Sequence, residues 1–132
     1  MKRIQPHHKE AVTIAAPPAK AYTLRALFIS SLAAGRSIIE RPLLGEDQQH
    51  AIECLRRLGI AIQGDAQSLT VEGQSGQFEP TASEMNVGES EVTMNLLTAL
   101  ACLSLRPVMI SGAPRTDERL PHRRASCALA EG

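Results

Sequence analysis

The sequence predicts an α/β fold in which one βαβαββ series of elements is completed and a second is begun. Three observations point there. Short apolar, strand-forming runs alternate with longer segments of helical periodicity, and Gly or Pro stands at the joins. The order of elements returns at a shift of 70 residues. The chain has 132 residues, 43% of them hydrophobic and three of them aromatic (Tyr22, Phe28, Phe78), enough for one aliphatic core and not for two.

Ala11-Val12-Thr13-Ile14 reads as a first strand, stopped by Pro17-Pro18. Tyr22 to Ala34 reads as a helix, with apolar Leu24, Leu27, Phe28 and Leu32 and with Gly35 as its C′ residue. Ser37-Ile38-Ile39-Glu40 follows as a strand closed by Pro42. Asp47 is placed to cap a second helix whose apolar positions Ala51, Ile52, Leu55 and Leu58 share a face, and Gly59 ends it. Ile60-Ala61-Ile62 and Leu69-Thr70-Val71 flank Gly64-Asp65 as a hairpin.

Beyond the hairpin the order starts again. Thr93 falls on Thr23, Leu97 on Leu27, Val108 on Ile38 and Asp117 on Asp47. The helix Thr93 to Leu105 is apolar nearly all round, which predicts burial on more than one side. The strand Pro107-Val108-Met109-Ile110 comes next. A single partial domain is expected, with unit one over about 11–73 and an incomplete unit two over about 80–132 that lacks its closing hairpin. A repeat stopped there leaves apolar surface and sheet edges uncovered, so self-association, or poor solubility without the missing portion, is expected.

Composition excludes several classes of function. Fourteen Lys+Arg balance 14 Asp+Glu, against polyanion binding driven by net charge, and so few aromatics give no stacking platform for single-stranded nucleic acid. Zero net charge with ordinary apolar content excludes general disorder. Cys54, Cys102 and Cys127 are an odd number without a CxxC pair, so neither a disulfide framework nor a zinc site is expected. The first ten residues are charged with no apolar run behind them, and the most apolar segment, Met94 to Leu105, is broken by Asn95, Thr98 and Ser104. A soluble, reduced, cytoplasmic protein is expected, without nucleic-acid or membrane partners.

Two segments set polar residues at the start of an apolar helix: Ala16 to Arg25, and Asn86 to Asn95. A helix N-terminus presents free backbone N–H groups and the positive end of the dipole, which suits phosphate or carboxylate. Lys20 and Arg25 would add full charge, Arg25 with a two-pronged grip on an oxyanion. On spacing alone the two read first as solvated surface cations beside a helix cap, since one Lys and one Arg form no specific motif. In the loop Ser111 to Arg119, Arg115 or Arg119 would close over an anionic ligand, or the segment is a solvated turn into a helix capped by Asp117. His122-Arg123-Arg124 reads as surface.

Together these segments resemble the first part of the 5-enolpyruvylshikimate-3-phosphate synthase family, the enolpyruvyl transferases of the shikimate pathway and so of aromatic amino acid biosynthesis. Pro18-Ala19-Lys20-Ala21-Tyr22-Thr23-Leu24-Arg25 resembles P-S-K-S-x-[ST]-x-R. Gly35-Arg36-Ser37, Pro42 to Asp47 and Leu55 to Ile60 fall where the family has G-x-[ST], N-x-L-x-S-[DE]-D and L-x-x-L-G-[VI]. Asn86 to Leu97 resembles N-V-G-x-S-G-T-T-x-R-L-L, and Gly112 to Arg119 resembles G-x-P-R-x-x-x-R. The likeness runs in order from about Val12 to Arg119, and segments in a shared order are far more specific than any one of them.

The resemblance implies two similar domains of three βαβαββ units each, with helices packed inside. It implies transfer of the enolpyruvyl group of phosphoenolpyruvate to the 5-hydroxyl of shikimate 3-phosphate, releasing phosphate, with no metal and no organic cofactor. Lys20 would contact both substrates, Arg25 would hold the shikimate moiety and Arg119 the phosphoenolpyruvate anion, stabilising charge as a tetrahedral adduct forms. Three positions depart from the pattern. Ala21 replaces a substrate-binding serine, Glu91 stands at a glycine beside phosphoenolpyruvate, where its charge would repel the ligand, and Asn95 replaces an arginine. After Arg119 the family's P-I-x-x-L gives way to Leu120-Pro121-His122-Arg123-Arg124, as a truncation or a shifted reading frame near position 120 would produce. The family's acid–base groups come largely from the opposite domain, so no catalytic residue is assigned and the chain is expected to be a half-site, inactive alone.

A sister family acting on a UDP-amino sugar fits less well, because Ala21 rather than asparagine follows Lys20 and none of the cysteines lies in the 112–119 loop. The alternative in another class is a degenerate, non-catalytic domain of the same fold that binds a phosphorylated ligand or a partner. Glu91 and Asn95 favour it; retention of Lys20, Arg25 and Arg119 opposes it.

Overall fold

The computed structural model of the chain describes residue 11 and residues 13–113. The first helix, α1, spans Lys20–Leu32 and leads into strand β1, Ala34–Glu40. Helix α2 (Glu46–Arg57) is followed by the hairpin of β2 (Ala61–Gly64) and β3 (Ser68–Gln74), and then by β4 (Glu84–Asn86), α3 (Glu91–Ala101) and β5 (Met109–Ser111). The α/β class is as expected.

Helix α1 buries Leu24, Leu27, Phe28 and Ser31, one stripe at helical spacing, and the Ser31 hydroxyl donates to the Leu27 carbonyl at 2.7 Å. Helix α2 begins with Glu46 and Asp47 and ends with Arg56 and Arg57, charges that complement its dipole at both ends. It stops at Gly59 as the sequence indicates. The Gly59 N–H bonds the Arg56 carbonyl at 3.0 Å and the Ile60 N–H bonds that of Leu55 at 3.0 Å, the paired bonds of a Schellman turn. Gly59 has φ +100°, and a Cβ there would run into the Glu79 carbonyl oxygen.

Strand β3 lies between β1 and β2 and is antiparallel to both. Alternation assigns the faces. Ile39 opposite Leu69, and Val71 opposite Ile62, turn toward α1 and α2, while Ile38, Thr70 and Gln63 line the other face. On that face Arg36 Nε meets Glu72 Oε1 at 2.7 Å. The hairpin turn is closed by Asp65, whose Oδ1 accepts from the Gln67 N–H at 2.8 Å. Strands β4 and β5 pair in parallel with α3 as the crossover, and one buried cluster joins this unit to the sheet through α2.

Four expectations need correction. Ala11, Thr13 and Ile14 form no strand, Val12 being outside the described residues, and Ile14 is 81% exposed. Extended propensity needs a partner to become a strand, and the described residues pair β1 on its β3 side alone. Helix α1 ends at Leu32 rather than Ala34, and Gly35 belongs to β1, because pairing with β3 already begins at Ala34 opposite Gln74. Helix α3 starts at Glu91 and ends at Ala101, short of Leu105, because Ser104 turns inward to bridge Phe78 and the Leu105 N–H bonds the Phe78 carbonyl at 2.9 Å. That helix also buries one face rather than several: Thr93, Met94, Leu97, Leu100 and Ala101 are covered and Val92 is 46% exposed.

Phe78 is wholly buried in the core cluster. Phe78→Ala is expected to lower the free energy of unfolding by about 3–5 kcal/mol, read from urea denaturation, because it removes a fully buried aromatic side chain and leaves a cavity.

Candidate functional site

The N-terminal ends of all three helices gather at one end of the domain. Lys20, the first residue of α1, holds its Nζ 2.5 Å from Oδ2 of Asp47 in the first turn of α2. Gln48, one residue on, donates from Nε2 to the Lys20 carbonyl at 3.2 Å. The turn that precedes α3 lies against α2 as well, since a Cβ on Gly88 would stand 2.7 Å from Cδ2 of His50. Gly88 has φ +61°, so both conformation and space call for glycine here.

These first turns are held by different devices. Ala19 precedes α1 without a side-chain cap, and its carbonyl accepts from the Thr23 N–H at 3.1 Å and from the Thr23 hydroxyl at 3.2 Å. Thr23 Oγ1 in turn accepts from the Leu43 N–H at 3.0 Å, tying the β1–α2 connection to α1. Asp47 is not the cap of α2. The helix starts one residue before it with Gly45 at the N-cap, and Gln48 Oε1 takes the Gly45 N–H at 3.1 Å. Ser90 caps α3 by accepting from the Thr93 N–H at 3.3 Å, and their hydroxyls lie 2.8 Å apart. Asn86 Oδ1 accepts from the Gly88 N–H at 2.8 Å and fixes the turn before it.

The six residues singled out in the sequence fare differently. Lys20 is 57% exposed at this junction, and its ion pair with Asp47, open to solvent, is worth about 0–1 kcal/mol. Arg25 is exposed in the second turn of α1, where one of its guanidinium nitrogens reaches back to the Ala21 carbonyl at 3.4 Å. Ala21 is exposed in the first turn and brings no hydroxyl there. Glu91 is the first residue of α3 and exposed, and Asn95 is exposed one turn further on. Glu89 and Glu91 put negative charge at the positive end of the α3 dipole, which stabilises the helix and occupies the electrostatic position an anionic ligand would take. Arg119 and the whole 114–119 segment lie outside the described residues.

Sequence reasoning missed β4, which is three residues long with polar neighbours, and it missed the partners of Lys20. One signal was available: Gly45-Glu46-Asp47-Gln48 has the N-cap-x-x-Gln spacing of a capping pair. Nothing local indicates that the same glutamine also reaches α1. Beside this junction an open groove of about 340 Å³ runs between Pro17, Pro18, Tyr22, Glu40 and Arg41. Among the described residues no three His, Cys, Asp or Glu side chains cluster to hold a metal ion, and no helix is long and apolar enough to cross a membrane.

Solved structures give the class of fold. The chain superposes on EPSP synthase from Acinetobacter baumannii with a TM-score of 0.74 over 80% of its own length and 24% of that chain, at 22% identity. A second structure of EPSP synthase from the same organism gives 0.71 over 77% and 24%. The sequence gives the family: the model for EPSP synthase (3-phosphoshikimate 1-carboxyvinyltransferase) matches residues 4–131, and the chain belongs to that family. It is 38% identical over 109 residues to the 3-phosphoshikimate 1-carboxyvinyltransferase of Methanoregula boonei, covering 82% of this chain and 26% of that protein. With the protein of that name from Methanoculleus marisnigri it shares 42% over 106 residues, 79% of this chain and 25% of the relative. The chain thus spans about a quarter of the length of the curated relatives it matches.

One buried titratable group stands near the site. Cys54 of α2 is wholly buried, and its thiol donates to the Asn86 carbonyl at 3.3 Å. Burial pushes this thiol up from 9.0 to about 11; Arg57 pulls it down and Glu53 adds to the rise. The folded state therefore holds the proton more tightly than the unfolded chain, so this contribution to stability is complete below pH 9 and is lost as the pH rises through 11. The unfolding free energy is expected to decline more steeply between pH 9 and 11 in the wild-type chain than in Cys54→Ala, by urea titration across that range.

Proposed function

We propose that the chain carries one half of a shikimate 3-phosphate and phosphoenolpyruvate site, in the reaction catalysed by 3-phosphoshikimate 1-carboxyvinyltransferases. Lys20 contacts both substrates, Arg25 holds the shikimate moiety and Arg119 the phosphoenolpyruvate anion. The observation that carries this reading is the position of Lys20, an accessible ammonium at the start of α1, held by Asp47 where the N-termini of α1 and α2 meet, in a chain whose family is that of the enzyme. Free N–H groups of the first turn and the Lys20 charge together present one anion-binding corner.

The acid–base groups belong to the opposite domain in this reading, and turnover needs that domain. Association with it, or with a second copy of the chain, goes with the exposed apolar side chains of Ile29, Ile38 and Leu105. The division into a first unit over about 11–73 and a second from about 80 is part of the same proposal. Shifted by 70 residues, α1 would cover 90–102, and α3 spans Glu91–Ala101.

Calorimetric titration of the 132-residue chain with shikimate 3-phosphate tests the assignment. Binding is expected, weakened about 10- to 100-fold in Arg25→Ala, the usual worth of a charge-assisted hydrogen bond. No binding by a folded wild-type chain would overturn it.

A second reading is favoured by Glu91, whose exposed carboxylate at the start of α3 would repel phosphoenolpyruvate, and by Asn95 one turn later. It holds the chain to be a degenerate, non-catalytic member of the family that binds a phosphorylated ligand or a partner. The double variant Glu91→Gly with Asn95→Arg is expected to bind phosphoenolpyruvate more tightly than the wild type if the site is damaged. No gain, with the fold intact by circular dichroism, would count against the phosphoenolpyruvate assignment.

A further inference from the structure

Gln48 is 1% exposed, and its amide is satisfied at both ends by backbone from two different places. Oε1 accepts from the Gly45 N–H at 3.1 Å, and Nε2 donates to the Lys20 carbonyl at 3.2 Å. The partners fix the orientation of the amide, since an N–H can only donate and a carbonyl can only accept. A carboxylate in this place would supply the first bond and not the second, and an aliphatic side chain would supply neither.

Capping α2 requires the Gly45 bond alone. The Lys20 bond joins two helices, and it lands on the residue whose side chain Asp47 holds from the next position of the same turn. Lys20 is therefore gripped twice by the first turn of α2, by its carbonyl and by its ammonium. The carbonyl contact is buried on its Gln48 side and sets where the first turn of α1 stands. The ion pair is open to solvent on its lysine side, and a pair so screened contributes little by itself.

From this we infer that Gln48 is a positioning residue: it fixes the first turn of α1 on α2 and so sets where the Lys20 ammonium is presented. The role in substrate binding rests on the site reading proposed above. The effect on Lys20 itself does not.

Lys2, Lys9 and Lys20 are all the lysines in the chain, so reductive methylation with ¹³C-formaldehyde resolves Lys20 with two internal references. In Gln48→Met the rate of Lys20 methylation is expected to rise about fivefold, the factor that one neutral hydrogen bond supplies, with the rates at Lys2 and Lys9 unchanged. An unchanged Lys20 rate in a folded Gln48→Met chain would overturn the inference. If that variant does not fold, the wild-type chain still decides. One Nε2 proton of Gln48 is expected to exchange with solvent at least tenfold more slowly than those of exposed Gln49, a protection in keeping with a buried bond. Equal exchange at the two side chains would overturn the proposal. Both readouts are taken without ligand, so a wild-type chain that fails to bind shikimate 3-phosphate bears on the site reading and not on this clasp.

Discussion

Everything in the domain leans on the buried stripe of α2. Ala51, Cys54, Leu55 and Leu58 are wholly inaccessible, and the helix packs against α1, α3, β2 and β4. A helix in contact on so many sides leaves its neighbours little freedom. The sheet lays β3, with Leu69 and Val71, against α1. It lays β2, with Ile62, against α2, and the β4–α3–β5 unit closes over the remaining flank. Close-packed interiors respond to the loss of even one methylene, so the placement of α2 fixes that of α1 and α3. The corner at Lys20 is a consequence of this arrangement, because it lies where the first turns of α1 and α2 meet.

Charge at that corner is divided between the helices. The α1 side carries the accessible ammonium of Lys20 and, a turn away, the guanidinium of Arg25. The start of α3 carries Glu89 and Glu91, and its dipole is satisfied by the chain's own carboxylates. The same two glutamates that help α3 to form work against an anion bound there. The two readings of function differ on this point: the first weighs the cations of α1, the second the carboxylates at the start of α3.

Several features were legible from residue order alone because their causes are local. Gly59 marks the end of α2 since a left-handed residue is needed there, and Asp65 marks the hairpin turn since its side chain closes it. The family segments were legible for a related reason: Lys20, Arg25 and Gly88 sit in short stretches whose order identifies them without any knowledge of contacts. Errors fell where an element depends on a distant partner. Gly35 resembles a helix stop but is claimed by β3, and the last turn of α3 is surrendered to a bridge with Phe78, 26 residues earlier than Ser104.

By itself the sequence determined the α/β class, the periodic helices and the chemical nature of the candidate residues, because side-chain spacing and turn chemistry act within a few positions. Tertiary structure decided the rest. It made Asp47 a partner of Lys20 instead of a cap, turned Gln48 inward to join two helices, and left Ile14 without a strand to pair with. Each of those outcomes depends on which groups meet across 20 or more residues of chain, and a hydrogen bond or an ion pair exists only once packing has brought both partners to the same place.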